Sequence, residues 1–380
     1  AYGAISGELL VTLRLPATAP LSELRRAVAA ALLPAPADAR FIVEVKLFHD
    51  GLPLNGATLV DAGLRTGAEI QVIICNSQQL LAGAVDGTGS IWDLEGPTKV
   101  HGFHHGAELH SAAVSPDGKF LGTAGADGQV ILWQREPLDV EFNLQGHQGQ
   151  VYPIRFCPVS SSLFSASGDA TARLWDICSG QELLCLRGHR RDVNACAVSP
   201  DGHVLATGSD DYCFATWDRR TGQQLQHWDG RRGEGHSGRV YAVAFEGTGR
   251  YLATGAVDKK AKIWDLRKGG PGGRCLHAFS HTDLVNSVEF SADGKLVASA
   301  SDDAFVHVWK AEDATLVASH QHPMPVMCAT FSEDGGLASG CSDGHLRFWK
   351  DTEQVVGLGE ETSTTLTCRA AVKSVSFIPL

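Results

Sequence analysis

Most of the chain consists of short segments in which apolar and polar positions alternate, the pattern of a β-strand with one buried face. The pattern repeats seven times, and each repeat ends with a tryptophan. Successive tryptophans are 40 to 47 residues apart, and an aspartate stands six residues before each of them. The tryptophans are Trp92, Trp133, Trp175, Trp217, Trp264, Trp309 and Trp349, and the aspartates are Asp86, Asp127, Asp169, Asp211, Asp258, Asp303 and Asp343. This period is typical of propeller blades. We therefore predict an all-β, seven-bladed β-propeller.

Two further polar positions repeat with the same period. A histidine stands 28 residues before five of the tryptophans and 27 before Trp349, and a hydroxyl stands four residues before the aspartate. Histidine, hydroxyl, aspartate and indole supply matched donors and acceptors, so we predict one hydrogen-bonded tetrad in each of six blades. The predicted tetrads are His105, Thr123, Asp127 and Trp133; His147, Ser165, Asp169 and Trp175; His189, Thr207, Asp211 and Trp217; His236, Thr254, Asp258 and Trp264; His281, Ser299, Asp303 and Trp309; and His322, Ser339, Asp343 and Trp349.

Two units carry the full pattern, from Gly146-His147 to Trp175-Asp176 and from Gly188-His189 to Trp217-Asp218. Here the chain resembles the WD-repeat family, and the resemblance extends over residues 77–380. It implies that the tetrads are structural. A hydrolase needs one Ser-His-Asp set with an oxyanion hole, whereas this set recurs six times. We therefore predict no catalytic residue, no cofactor and no enzymatic activity.

The two ends of the propeller sequence complement each other. Residues 80–85 and 89–94 supply a second and a third strand without a preceding first strand, and residues 372–377 match the first strand at 285–290. We predict that residues 371–380 complete the first blade, because closing the ring removes exposed sheet edges. That blade has Ala82 at the hydroxyl position and Cys368 at the histidine position, so it should lack a tetrad.

Residues 1–76 do not follow this period and form a separate predicted domain. Residues 9–15, 43–48 and 69–74 have the pattern of strands, and residues 20–33 have that of a helix ended by Pro34. The segment LFHDGLPLNG at 47–56 resembles the second half of the ubiquitin family, which implies an α+β β-grasp fold.

The ubiquitin resemblance has consequences for partners. It maps ubiquitin's apolar recognition patch onto Leu47 and Ile73, which implies a partner from the ubiquitin system; alternatively, these residues only support the domain. Ile74 continues into Cys75-Asn76-Ser77 rather than a free diglycine, so we expect no conjugation to other proteins.

Composition limits the other classes of function. The chain has 32 basic and 43 acidic residues and a net charge of −11, which argues against general nucleic-acid binding. No apolar run approaches a membrane span of about 18 residues, and no secretory leader opens the chain. Ten singly placed cysteines suit reduced thiols. We expect a cytoplasmic protein, with nuclear or organellar assembly left open.

The histidines near residue 105 are the strongest candidates for a metal site. They are His101, His104, His105 and His110, of which His105 belongs to a predicted tetrad. No Cys-x-x-Cys or His-Glu-x-x-His spacing accompanies them, so we predict no metal site.

The WD-repeat resemblance also indicates a binding face. In that family the loops with the histidine and the aspartate share one face, here called the upper face, and residues three and five beyond the histidine or one before the aspartate point to it. The predicted partner-binding residues are Gln150, Tyr152, Asp192, Asn194, Asp210, Arg239, Tyr241, Asn286, Asp302 and Met327. The unit with Asp192, Asn194 and Asp210 resembles the contact surface of the G-protein β subunit. We expect protein partners in a multiprotein complex.

Two functions remain open. The first is a non-enzymatic scaffold that uses the upper face. The second is a substrate receptor of a cullin–RING ubiquitin ligase, because residues 205–220 and 252–267 end in Trp-Asp-Arg-Arg and Trp-Asp-Leu-Arg, which resembles the ligase-adaptor box. That resemblance implies that Arg220 and Arg267 contact the adaptor. The box overlaps the ordinary blade pattern, and the sequence leaves the partner unidentified.

Overall fold

The protein is described here from a computed structural model. It covers residues 79–94, 98–267, 274–333, 335–349, 364–368 and 370–378, together with the backbone of five strands before residue 79. The chain divides into two compact units, residues 1–78 with Leu380, and residues 79–379.

The second unit consists of seven four-stranded antiparallel sheets, numbered here as blades 1 to 7. From the inner to the outer strand, the blades are Val372–Ile378, Gln79–Ala84, Thr88–Asp93 and Thr98–His104; Leu109–Val114, Phe120–Gly125, Val130–Gln134 and Asp139–Leu144; Val151–Phe156, Ser162–Ser167, Thr171–Asp176 and Glu182–Arg187; Val193–Val198, Val204–Ser209, Cys213–Asp218 and Gln224–Asp229; Val240–Phe245, Tyr251–Ala256, Lys260–Asp265 and Arg274–Ser280; Val285–Phe290, Leu296–Ser301, Phe305–Lys310 and Leu316–Gln321; and Val326–Phe331, Leu337–Cys341, His345–Trp349 and Thr364–Thr367. The predicted seven-bladed, all-β propeller is confirmed.

The core lies between successive blades. Each inner strand begins with a fully buried valine or leucine, and the second strands are buried along almost their whole length. Between blades 4 and 5, Phe214 stacks on Trp228 with ring centroids 4.4 Å apart and also packs against Trp264 at 4.9 Å. Burial of these apolar faces explains why strands with regular alternation pack as blades rather than as one open sheet.

The C-terminal strand closes the ring. Val372–Ile378 pairs with Gln79–Ala84, with Val375 opposite Ala82. The inner strand of blade 1 also contacts those of blades 7 and 2. Ser374 Oγ accepts a hydrogen bond from the Ala112 N–H at 2.9 Å. The last strand of the chain therefore covers the edge that the first propeller strand would expose.

Helical structure is sparse in the described part of the propeller. One short 3-10 helix, Gly230–Arg232, lies between blades 4 and 5, and the Asp229 carboxylate accepts a hydrogen bond from the Arg231 N–H at its start. A helical segment that could span a membrane does not occur among the described residues.

In the first unit, Ala4–Ile5 pairs with Glu8–Leu9, and Glu44–His49 lies between Leu52–Pro53 and Gln71–Cys75. The strands predicted at 43–48 and 69–74 overlap two of these. The helix predicted at 20–33 lies outside the described residues, as does most of the strand predicted at 9–15. The register places Leu47 opposite Val72 and Ile73 opposite Lys46. The β-grasp fold and the patch at Leu47 and Ile73 stay predictions.

Candidate partner-binding surface

In blade 4 the four repeated polar side chains form one hydrogen-bonded chain. Trp217 Nε1 donates to Thr207 Oγ1 at 2.8 Å, and Thr207 Oγ1 lies 2.8 Å from His189 Nε2. His189 Nδ1 lies 3.1 Å from the Asp211 carboxylate, which also accepts the Arg190 N–H at 2.9 Å. The side chains therefore join the outer part of the blade to its upper loops.

Blades 3, 5 and 6 repeat this geometry. Their hydroxyl-to-imidazole distances are 2.8, 2.6 and 2.7 Å, and their indole-to-hydroxyl distances are 2.8, 2.8 and 2.9 Å. In blade 2 the imidazole is reversed, so that His105 Nδ1 lies 2.8 Å from Thr123 Oγ1 and His105 Nε2 lies 3.3 Å from Asp127. Five blades thus connect all four side chains.

The protonation of these groups follows from burial. Burial lowers the pKa of His147, His236 and His281 below the usual 6.5, against the opposing effect of the paired aspartates. Burial raises the pKa of Asp169, but hydrogen bonds from Thr171, Gln148 and His147 outweigh it and set the value to about 2. A neutral imidazole can accept the hydroxyl proton at one nitrogen and donate to the carboxylate from the other.

This arrangement leaves the hydroxyls unavailable to a substrate. Ser165, Thr207, Thr254 and Ser299 are completely buried. Each is already hydrogen-bonded to an indole and an imidazole, so it lacks the open side from which a nucleophile attacks. These groups therefore have a structural role, as buried hydrogen bonds within a blade.

Blade 7 differs from the predicted tetrad. His322 Nε2 lies 2.8 Å from Ser339 Oγ, but its Nδ1 faces the His320 carbonyl at 3.2 Å rather than Asp343. Asp343 instead accepts a hydrogen bond from Arg347 at 3.0 Å. Among the described residues, Trp349 Nε1 has no acceptor within hydrogen-bond distance. The tetrad prediction is wrong for this blade, because its segment from histidine to tryptophan is one residue shorter and an arginine binds the carboxylate.

Blade 1 lacks the tetrad altogether. Ala82 occupies the hydroxyl position, and Cys368 Sγ lies 4.0 Å from Ser90 Oγ on the third strand. The two blades that meet at the ring closure are therefore the two without a complete tetrad.

One cluster of potential metal ligands occurs among the described residues, formed by His281, Asp303 and His307. His281 uses both ring nitrogens, toward Asp303 at 2.9 Å and Ser299 at 2.7 Å. His307 stacks on the His281 ring, with centroids 4.6 Å apart. Metal binding would break the blade 6 tetrad, so this cluster is better explained as part of the blade core.

The predicted partner-binding residues gather around the central channel. The seven inner strands enclose a cavity of about 770 Å³, a volume within the range of ligand sites. All the predicted residues except Gln150 and Asp302 line it. Gln150 is exposed beside the mouth of the channel.

Hydrogen bonds connect neighbouring blades at this mouth. Tyr152 Oη donates to Asp192 at 3.1 Å, and burial together with this carboxylate raises the pKa of Tyr152 to about 12. Asn194 Nδ2 donates to Asp210 at 2.5 Å, and Arg239 Nη1 lies 3.3 Å from the same carboxylate. The mouth is therefore a preorganised polar surface.

The opposite side of the mouth contains Asn286 and Met327. Asn286 Nδ2 donates to Asp302 at 2.7 Å and to the Val326 carbonyl at 3.0 Å. Asp302 thus supports the mouth from behind rather than lining it. Met327 adds an apolar side chain to an otherwise polar ring.

The sequence prediction missed much of the channel lining, including four acidic or basic residues. His110 and Lys373 occupy the strand position that Tyr152 occupies in blade 3. His110 lies five residues beyond His105, so the rule used for the other blades would have found it. Arg155 and Glu289 line the channel as well, and burial raises the pKa of Glu289, whose Oε1 accepts a hydrogen bond from Thr330 at 2.8 Å.

Arg220 and Arg267, the predicted adaptor contacts, lie away from this mouth. Both are exposed and follow the third strands of blades 4 and 5, at the face opposite the histidine and aspartate loops. The Arg267 N–H donates to Asp265 at 3.0 Å.

Seven four-stranded sheets, the hydrogen-bonded tetrads within them and the polar channel mouth define a WD-repeat β-propeller. Residues 149–346 match the family model described as Nucleolar protein 10-like, N-terminal domain, and residues 97–134 match the WD domain, G-beta repeat model. Because the first match covers more than half of the chain, the protein belongs to the Nucleolar protein 10-like N-terminal propeller family.

Curated relatives match short stretches of the chain. Actin-interacting protein 1 of Drosophila melanogaster is 35% identical over 104 residues, which is 26% of this chain and 17% of the relative. WD repeat-containing protein 1 of Xenopus tropicalis is 38% identical over 78 residues, 20% of this chain and 13% of the relative. Transducin-like enhancer protein 2 of Mus musculus is 29% identical over 114 residues, 29% and 15% respectively. The chain thus spans less than a fifth of each of these proteins.

Proposed function

We propose that this protein is a non-enzymatic interaction module of a multiprotein assembly and binds its protein partners at the upper mouth of the channel. The proposal joins two properties of that mouth. Its hydrogen bonds hold the side chains in place before binding, and the cavity gives a partner residue room to enter. Preorganisation lowers the entropy lost on binding.

The observation that carries the proposal is a contrast between adjacent positions of the seven inner strands. The first position is a buried valine in six strands and leucine in the other, because equivalent packing needs equivalent side chains. The next position faces the mouth and varies, with five residue types in the seven blades: His110, Tyr152, Asn194, Tyr241, Asn286, Met327 and Lys373. The side chains therefore repeat at the buried position and vary at the position that faces the mouth. Such an asymmetric ring, with two tyrosines, suits recognition of one partner orientation.

The relatives support the proposal that this propeller binds other proteins. One of them is named for its interaction with actin. We carry over the general mode of action and not that partner, because the match covers 17% of the relative.

Affinity isolation from the native source with quantitative mass spectrometry tests the proposal. The upper variant combines Tyr152→Ala, Tyr241→Ala and Met327→Ala, and the lower control combines Arg220→Glu and Arg267→Glu. Variants with wild-type melting curves are compared. We expect specific partners to be lost from the upper variant and kept by the lower one. Retention of all partners by a folded upper variant would refute the proposal.

The same comparison tests the ligase-receptor alternative. Arg220 and Arg267 are exposed at equivalent places on neighbouring blades, so one adaptor surface could contact both. In that case the lower variant would lose a cullin-associated adaptor, while the upper variant would lose the substrates.

A further inference from the structure

Arginine side chains surround one turn on the upper face. The turn Ser209–Tyr212 joins the second and third strands of blade 4. The loops on both sides of it contribute five arginines, which are Arg190, Arg191, Arg231, Arg232 and Arg239. Four of the arginines form two adjacent pairs, one in each of these consecutive loops.

The first loop is fixed to the turn through its backbone. The Arg190 N–H donates to Asp211 at 2.9 Å, and the Arg191 carbonyl accepts from Ser209 Oγ at 3.3 Å. Both arginine side chains are exposed. Their positions therefore follow from the blade 4 tetrad, to which Asp211 belongs.

The second loop meets the turn from the other side. The Arg231 guanidinium lies 5.6 Å from the centre of the Tyr212 ring, within the range of a cation–π contact. The Gly230 N–H donates to the Tyr212 carbonyl at 3.2 Å. Arg239 Nη1 lies 3.3 Å from Asp210. Arginines from two loops thus converge on one four-residue turn.

Tyr212 itself stands at an unfavourable backbone position. The residue after the repeated aspartate has a positive φ in every blade, and it is glycine or alanine in five of them. The seven residues are Gly87, Gly128, Ala170, Tyr212, Lys259, Ala304 and Gly344. A bulky residue at φ 70° is strained, and such strain is often found at functional sites. Tyr212 therefore places its ring against Arg231 while its own backbone is in a strained conformation.

The charges are layered in this region. The side chains of Asp210 and Asp211 are only 17% and 4% exposed, whereas those of Arg232 and Arg239 are 77% and 47% exposed. Asp210 lies beneath Arg239 and pairs with it, and the Asp229 carboxylate lies 3.4 Å from Arg232. The exposed charged side chains of the two loops are the five arginines and Glu234, so the outer layer is predominantly cationic. This is a local reversal on a chain with a net charge of −11.

We propose that the arginines around Tyr212 bind an acidic, carboxylate-rich segment of a partner protein. The inference rests on the proposed function and names the chemistry of the partner. Guanidinium groups pair with carboxylates in a bidentate geometry. A nucleic acid is less suited, because affinity for it grows with the number of phosphates contacted, and the cationic layer covers only the loops around one turn of an acidic protein.

The test uses fluorescence anisotropy with a labelled oligoglutamate peptide, an oligoglutamine peptide of equal length and an oligouridylate RNA. We expect oligoglutamate alone to bind the full chain. Arg190→Glu with Arg191→Glu should weaken it at least about ten-fold. Arg220→Glu with Arg267→Glu makes the same change of net charge on the opposite face and should leave the affinity within about two-fold.

A second pair of variants tests the role of the strained tyrosine. Tyr212→Gly should weaken oligoglutamate binding about three-fold without lowering the thermal midpoint, because it removes the ring under Arg231 and relieves a positive φ. Lys259→Gly makes the equivalent backbone change in blade 5 and should leave binding unchanged.

Several outcomes would overturn the inference. They are no binding of oligoglutamate to the wild type, equal weakening by both double charge reversals, or tighter binding of oligouridylate that depends on Arg190 and Arg191. If oligoglutamate fails to bind while the upper-mouth variant still loses its partners, only this inference fails and the proposed function stands.

Discussion

Blade 4 and the two blades at the ring closure, blades 1 and 7, are all four-stranded sheets, but they differ in their buried polar side chains. In blade 4, Trp217, Thr207, His189 and Asp211 connect the third strand to the upper loops. Blade 1 has no such chain, and blade 7 leaves the Trp349 indole without an acceptor among the described residues. Both still form four-stranded sheets. Strand pairing and apolar burial are therefore sufficient for a blade, and the tetrad adds hydrogen bonds between its third strand and its upper loops.

The comparison also separates the sources of stability. At the closure, Leu80, Leu81 and Val372 are completely buried, and every residue pair of the register joins the beginning of the propeller sequence to its end. Away from it, stability is added by buried polar networks. The ring should thus be least resistant to local opening where blades 7 and 1 meet.

Removing the closing strand should have the largest effect. Deletion of residues 371–380 exposes the edge of Gln79–Ala84 and uncovers Leu80 and Leu81. We expect the thermal midpoint to fall by more than about 10 °C, or the protein to associate through the open edge. Calorimetry with size-exclusion chromatography measures both. A monomeric product with an unchanged melting curve would refute closure by this strand.

Acid should weaken the blades that contain buried histidines. Burial lowers the pKa of His147, His236 and His281 from 6.5, and that of His322 to about 4. The unfolded chain then binds more protons than the folded chain below pH 6.5. The stabilisation is complete above pH 6.5 and is lost as the pH falls toward the folded values.

We expect the thermal midpoint to drop by at least about 5 °C between about pH 7 and about pH 5. In hydrogen exchange, protection should fall in blades 3, 5 and 6 as well as at the closure. A midpoint that is constant over this range would contradict neutral, buried histidines.

Removing one tetrad member should have an intermediate effect. His189→Ala leaves Asp211 buried without its imidazole and should destabilise the fold by about 1–3 kcal/mol. Cys368→Ala changes the corresponding position of blade 1 and should cost less than about 1 kcal/mol, since no tetrad is broken there. Urea denaturation gives both values. Equal losses would show that the tetrads add no specific stability, and a hydrolytic activity removed selectively by His189→Ala would overturn their structural role.

The smallest expected difference concerns one indole N–H. Trp217→Phe removes a 2.8 Å hydrogen bond to Thr207, whereas Trp349 donates to no described acceptor. Both substitutions leave a similar cavity, so Trp217→Phe should be more destabilising by about 1 kcal/mol. An equal or larger loss for Trp349→Phe would mean that its indole is bonded in solution.

The periodicity of the chain predicted the blades and their closure, because equivalent packing repeats equivalent residues. The spacing did not predict blade 7, where Arg347 on the third strand competes for Asp343. The turn at Tyr212 was not recognised either, although Gly87, Gly128 and Gly344 at the same repeat position indicate a positive φ there. The channel mouth was located through the WD-repeat resemblance, but Arg155 and Glu289 lie deeper along the inner strands than that rule extends.

Site-specific photo-crosslinking tests the central claim, that partners bind at the upper mouth, most directly. A benzophenone amino acid replaces Met327 in one variant and Arg220 in the other, and both are irradiated in extract from the native source. We predict that a specific protein crosslinks at position 327 and does not at position 220. Crosslinking of that protein only from position 220 would contradict the account and place the binding surface on the opposite face.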